Sequence, residues 1–225
     1  MSNKKKNVKK TTSGVTAVII ISLVLAIGML AVGTYTALKM INPALFEKPA
    51  KPVESAYKET DEVTNYVKLT VKGHGDIVME LDPDSAPETV ANFQMLVHDK
   101  FYDGLTFHRV IQNFMIQGGD PKGNGTGGSD NKIKGEFTAN GFRKNYISHT
   151  RGVVSMARGN DMDSASSQFF ICNADSTHLD GQYAAFGHVV EGMSTVDSIS
   201  AVACNSNDKP LQNVIIEKAC FVEKK

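Results

Sequence analysis

Apolar positions keep three different spacings along the chain, and each predicts a different kind of element. From 11 to 38 the chain reads TTSGVTAVIIISLVLAIGMLAVGTYTAL, without a charge, and Val15 to Val32 is strongly apolar. With its flanks that run reaches the roughly 20 residues a helix needs to cross hydrocarbon. It has no polar stripe, which argues against a helix packed on a soluble core. From residue 66 the spacing becomes two. YVKLTV (66–71) and DIVMEL (76–81) alternate, with Gly73 and Gly75 between them, and predict a β-hairpin. In the following PETVANFQMLVH the spacing lengthens. Val90, Phe93, Leu96 and Val97 fall on one face and predict a helix of about three turns. Pro87 suits its first position, with Ser85 or Ala86 at the cap.

Further short strands are predicted at LTFHRVI, NFMIQ, GVVSMA, SQFFICN, AAFGHVV and NVIIEKACFV, and a second helix at Ser194–Ala203. Strands and helices do not alternate, so a parallel sheet is not expected. Many short strands with two isolated helices predict a mainly β fold: a closed antiparallel barrel with helices over its ends. Closure would also leave no exposed strand edge. The Gly-, Asn- and Asp-rich stretch 118–151 reads as an irregular surface excursion. It has neither the GK[ST] ending nor the strand–loop–helix setting of a phosphate-binding loop.

Ahead of the alternating strands, Pro43, Pro49 and Pro52 stand among Lys, Glu, Ser and Asp and predict an extended, solvated linker. The expected organisation is a basic tail (1–14), an apolar anchor or uncleaved signal (15–38), a linker (39–63) and a globular domain (64–225). Charge sharpens this picture. Residues 1–41 hold six lysines and no acid; the other 18 Lys/Arg face 24 Asp/Glu, so residues 42–225 carry −6. A mildly acidic domain argues against nucleic acid as a partner. Five lysines precede the apolar run and only Lys39 closely follows it. The positive-inside rule then predicts a cytoplasmic amino terminus and an extracytoplasmic domain. The rival is a cleaved signal peptide and a secreted domain; the length of the run and the absence of an A-x-A site favour a retained anchor. Cys204 and Cys220 could pair in an exported domain, leaving Cys172 as a small buried hydrophobe.

Most catalytic chemistries find no machinery here. None of the six histidines makes an HxxxH or HExxH spacing on a predicted helix, so no metal is expected. There is no GxSxG elbow and no GxGxxG after a strand, hence no visible hydrolase and no organic or nucleotide cofactor. What stands out is FHRVIQNFMIQGGD (107–120). On a strand Phe107, Arg109 and Ile111 share one face, His108 and Val110 the other. An arginine between apolar neighbours either points to solvent, forms a buried ion pair, or lines an apolar pocket whose ligand completes its hydrogen bonds. Spacing alone leaves the three open.

That stretch, with GNGTGG (123–128), HTRGVVSMAR (149–158), SSQFFIC (166–172) and LDGQYAAFGHVVEGM (179–193), resembles the cyclophilin-type peptidyl-prolyl cis/trans isomerases. The resemblance runs from about Tyr66 to Val222, with SMAR and LDGQYAAFG similar to bacterial members. It implies an eight-stranded antiparallel barrel closed by two helices, and a peptide ligand containing proline, such as an unfolded or newly exported chain. It puts the catalytic arginine at Arg109, next to the matching His108. The proline pocket falls on Phe114, Met115, Phe170 and Leu179, and peptide-backbone contacts fall on Gln117, Ala157 and Gln168. Three contact positions depart from the best-known eukaryotic members: Arg158 replaces an asparagine, His178 a tryptophan and Tyr183 a histidine. The missing tryptophan implies weak or no cyclosporin binding. The reaction moves no proton, so His108 reads as structural although it belongs to the contact positions. The expected activity is isomerisation by a monomer; the alternative is a non-catalytic proline-peptide binding or chaperone module.

Overall fold

The computed structural model describes residues 54–225, and the basic tail, the apolar run at 15–38 and residues 39–53 lie outside them. Nine strands form one antiparallel sheet: β1 Tyr57–Glu59, β2 Tyr66–Val71, β3 Gly75–Leu81, β4 Arg109–Ile111, β5 Met115–Gly118, β6 Val153–Met156, β7 Phe169–Cys172, β8 Ala185–Glu191 and β9 Ile216–Lys224. Two helices accompany them, α1 Pro87–His98 and α2 Met193–Ser200. The strand order is β1-β9-β2-β3-β8-β6-β7-β5-β4. Among the described residues no helix is long and apolar enough to cross a membrane.

The alternation read from the sequence sets the faces. In β2, Val67, Leu69 and Val71 are buried while Tyr66, Lys68 and Thr70 are not. Helix α1 lays Val90, Phe93, Leu96 and Val97 on the core. Phe93 meets Phe186 at 5.1 Å, Tyr102 at 5.0 Å and Phe169 edge-on at 5.5 Å, geometries that aromatic rings favour. Helix α2 closes on the sheet with Val196 and Ile199. Strands β6 and β7 are buried along their whole length, and on the second face of β7 Phe170 and Cys172 join Met115 and Leu179 in a separate apolar cluster.

The expected closure of the sheet is corrected. The closed eight-stranded barrel is instead a nine-stranded ladder with two edges, β1 and β4. The ninth strand, β1, lies inside the stretch read as linker and pairs with the end of β9, Tyr57 opposite Lys224. Closure fails because LTFHRVI is not one strand. Its first half meets the chain at the start of β9 through the isolated bridge Thr106–Ile215 and a few backbone bonds, with the amides of Gly104, Phe107 and Ile216 donating to the carbonyls of Ile216, Val214 and Leu105, and not as a strand of the ladder. The outward amide of β4, on Val110, donates to the Asp208 carbonyl of a turn at 2.8 Å, so a turn covers that edge. The possible Cys204–Cys220 bond is absent: all three thiols are free. Cys220 sits on β9 opposite Lys68, whereas Cys204 lies near the Val110 carbonyl beside β4. Of the two cap positions expected, Ala86 occupies the α1 cap, without a side-chain bond, and Ser85 turns its hydroxyl to Asp82. The cap comes from the excursion instead. The buried Glu136 carboxylate accepts from the Glu88 amide at 3.0 Å and the Thr89 amide at 2.8 Å. A carboxylate there satisfies orphan donors and suits the positive end of the helix dipole.

Candidate active site

The β4–β5 hairpin carries the first half of the site. Its register pairs Arg109 with Gln117, Val110 with Ile116 and Ile111 with Met115, with Asn113 at φ +59° in the turn. Val110 and Ile116 enter the main core, so Arg109 and Gln117 face outward together. Strand β7 extends the row, Phe170 beside Gln117, and β6 continues it with Ser155 beside Phe170. Adjacent strands therefore present a guanidinium, a carboxamide and a phenyl ring side by side. A short 3-10 turn, Thr177–Leu179, brings Leu179 over them.

The result is a cavity of about 190 Å³ walled by Arg109, Phe114, Met115, Gln117, Ala157, Arg158, Phe170, Leu179 and Tyr183. Nine of the twelve residues expected at the site thus meet in one place. Arg109 combines two of the readings left open: it lines the cavity, and its Nε lies 3.5 Å from Asp208 Oδ2. Arg158 is fixed at the rim. Its guanidinium stacks over Tyr183 at 4.9 Å and Phe137 at 5.2 Å and donates to the carbonyls of Gln182 and Gly159.

The other three residues stand apart from this wall. Gln168 supports it: Gln117 Nε2 donates to Gln168 Oε1 at 2.8 Å, and Gln168 Nε2 donates to the carbonyls of Gly127 (2.8 Å) and Gly125 (3.2 Å). This chain turns the Gln117 oxygen away from Gln168, free to accept from a ligand. His178 packs its ring on Phe114 at 5.6 Å. The structure does not bring His108 to the cavity. It lies buried just ahead of β4, and burial lowers its pKa against the opposing pull of Asp120.

Sequence reasoning missed several supports. Asp120 is buried and orders the glycine-rich loop beside the cavity, accepting from the amides of Lys122 (2.8 Å), Asn124 (3.0 Å) and Gly125 (2.6 Å). Burial pushes its pKa up, but these amides outweigh it and hold the carboxyl low. An aspartate entering a run of Gly and Asn was the available signal, since it favours such local bonds. A second cavity of about 370 Å³, lined by that loop, Lys132 and Ser164, shares Gln117, Ala157 and Arg158 with the first. Behind the Phe170 ring, His149 stacks at 6.0 Å and 16°. His149 Nδ1 lies 2.9 Å from Asp180 and Nε2 lies 3.0 Å from Ser155 Oγ. Burial lowers the His149 pKa, with Asp180 opposing. The order Ser–His–Asp suggests a hydrolase, but Ser155 is fully buried and no substrate reaches it.

Residues 66–220 match the family model described as cyclophilin type peptidyl-prolyl cis-trans isomerase/CLD. The chain belongs to this family. It is a cyclophilin-type peptidyl-prolyl cis-trans isomerase, and its relatives agree. It is 38% identical over 172 residues to a peptidyl-prolyl cis-trans isomerase of Helicobacter pylori strain J99, covering 76% of this chain and 97% of that protein. It is 40% identical over 160 residues to peptidyl-prolyl cis-trans isomerase-like 1 of Gibberella zeae, covering 71% and 96%. Among solved structures it resembles a Cryptosporidium parvum cyclophilin-type isomerase crystallised in the presence of the dipeptide Ala-Pro. That match has 28% identity and a TM-score of 0.64, and covers 69% of this chain and 98% of the other.

Proposed function

We propose that this cyclophilin isomerises Xaa–Pro bonds by stabilising a twisted amide between Arg109 and an apolar pocket. The planar amide is held by resonance, with a barrier of roughly 18–20 kcal/mol. Unaided isomerisation takes on the order of 10–100 s. No bond needs to break, so the catalyst has only to prefer the twisted state. On twisting, the nitrogen becomes pyramidal and regains its lone pair, and the carbonyl loses charge separation. Phe114, Met115, Phe170 and Leu179 would grip the proline ring in surroundings that disfavour the more polar planar form. Arg109 would donate to the lone pair, a bond unavailable to the planar nitrogen. Gln117, held by Gln168, and the backbone at Ala157 would hold the flanking peptide while one end rotates. The observation that supports this reading is the cavity whose walls set the half-exposed Arg109 beside Phe114, Met115, Phe170 and Leu179.

A lysine lacks the planar fork that can reach carbonyl and nitrogen together. Arg109→Lys in the full chain should therefore lose most of the acceleration of a Xaa–Pro peptide. A rate equal to wild type would refute the arginine mechanism. The substrates we propose are unfolded or newly exported chains outside the cytoplasm, met by a domain tethered through residues 15–38. The uncharged run and the five lysines ahead of it support this. Protease added to intact cells should then digest the domain while the amino terminus survives; complete protection would refute the orientation.

A further inference from the structure

We propose that Asp208 is a positioning residue that holds the Arg109 side chain at the cavity; the inference rests on Arg109 acting as described above. Arg109 lies on β4, an edge strand, and the outer side of that strand is covered by the turn 204–210. The turn is built from Asn205. Its side-chain oxygen accepts from the amides of Asn207 (2.9 Å) and Lys209 (3.1 Å). Its own amide donates to the Lys209 carbonyl, and its carbonyl accepts from the Asp208 amide. One backbone bond fastens the turn to the strand, from the Val110 amide to the Asp208 carbonyl at 2.8 Å. Lys209 adds a second tie, its Nζ donating to the Gly123 carbonyl at 3.0 Å. The Asp208 backbone is therefore fixed relative to the residue next to Arg109, and its carboxylate reaches Arg109 Nε at 3.5 Å.

A second observation is independent of the ion pair. Asp208 has φ +60°, a left-handed conformation that three non-glycine residues adopt among those described. Glycine would meet this geometry without steric cost, yet the turn carries a carboxylate there. Aspartate is one of the few non-glycine residues that tolerate this conformation, so the turn can present a carboxylate at this point. None of the residues walling the Arg109 cavity is acidic, and Asp208 is the acid paired with Arg109 among the described residues. Engaging Nε from outside leaves the two terminal nitrogens for the substrate. It also orders a long side chain before the amide twists. Asp208 touches no substrate and acts only through Arg109.

The test compares full-chain wild type, Asp208→Gly, Asp208→Asn, Arg109→Ala and the Asp208→Gly/Arg109→Ala double variant. For each, kcat and KM on a Xaa–Pro peptide and the melting temperature are measured. Asp208→Gly should melt no lower than wild type, since glycine relieves the left-handed backbone. Its kcat should fall about two- to fivefold with KM nearly constant, the range an exposed ion pair can supply. Asp208→Asn, which tolerates the backbone and keeps an oxygen but not the charge, should fall between. Added to Arg109→Ala, Asp208→Gly should change nothing further. Wild-type kcat in Asp208→Gly, or an equal loss with and without Arg109, overturns the proposal. If Arg109→Ala alone keeps full activity, the arginine mechanism itself fails, and the positioning role falls with it.

Discussion

Glu136 offers a demanding test of how the fold supports the site, because nothing near it in sequence announces its role. Its buried carboxylate accepts from the amides of both Glu88 and Thr89 at the start of α1. Replacing it by alanine leaves the Thr89 amide unpaired beside a fully buried side chain. A buried donor left without a partner costs about 1–3 kcal/mol. Loss of the charge at the helix amino terminus adds roughly 0.3–1 kcal/mol. Glu136→Ala should therefore destabilise the domain by about 1–4 kcal/mol, on the order of 3–15 °C in melting temperature for a domain this size. Glu136→Gln keeps one oxygen but sets an NH2 against a backbone donor, so it should fall between wild type and alanine. Thermal melts followed by circular dichroism read both. A Glu136→Ala protein melting within 1 °C of wild type would refute the cap, and a glutamine variant worse than alanine would refute its geometry.

Two further outcomes follow from the site. Gln168→Leu frees Gln117 from its amide partner and removes two donors from the Gly125–Gly127 loop; peptide isomerisation should slow about fivefold, the worth of one net hydrogen bond, and an unchanged rate would contradict the role given to the amide chain. Stability should also fall as pH drops. His108 and His149 have lowered pKa values when folded, so the native protein keeps them neutral while the unfolded chain takes up protons below about 6.5. Their contribution is fully present above that value and is lost as pH falls toward the depressed native pKa. His108→Phe should make the drop in melting temperature between pH 7.5 and 5.5 shallower; an identical drop in both proteins would show that His108 does not drive it.

What could be read in the sequence was whatever depends on neighbours along the chain. The β2–β3 hairpin and α1 behind Pro87 both follow from local periodicity, which left the setting of Arg109 open. The residues walling the cavity followed from the family resemblance. The misses all depend on distant partners. Strand β1 has the burial pattern of a surface segment and exists because the end of β9 offers an edge. Glu136 and Asp208 are ordinary acids of loop segments until folding sets one at a helix terminus and the other beside Arg109. His108 is instructive in the other direction. The resemblance counts it among the contact positions, while in the structure it is buried and is not one of the residues walling the cavity.

The central claim is that Arg109 stabilises the twisted amide more than it binds the peptide. The most direct measurement is the isomerisation rate of a Xaa–Pro peptide with wild type and Arg109→Ala, beside the affinity of each for that peptide. A hydrogen bond from a charged donor is worth roughly 1.5–3 kcal/mol, so the rate should fall about one to two decades while affinity changes far less. Equal losses of rate and affinity, or a rate that survives the substitution, would contradict the account.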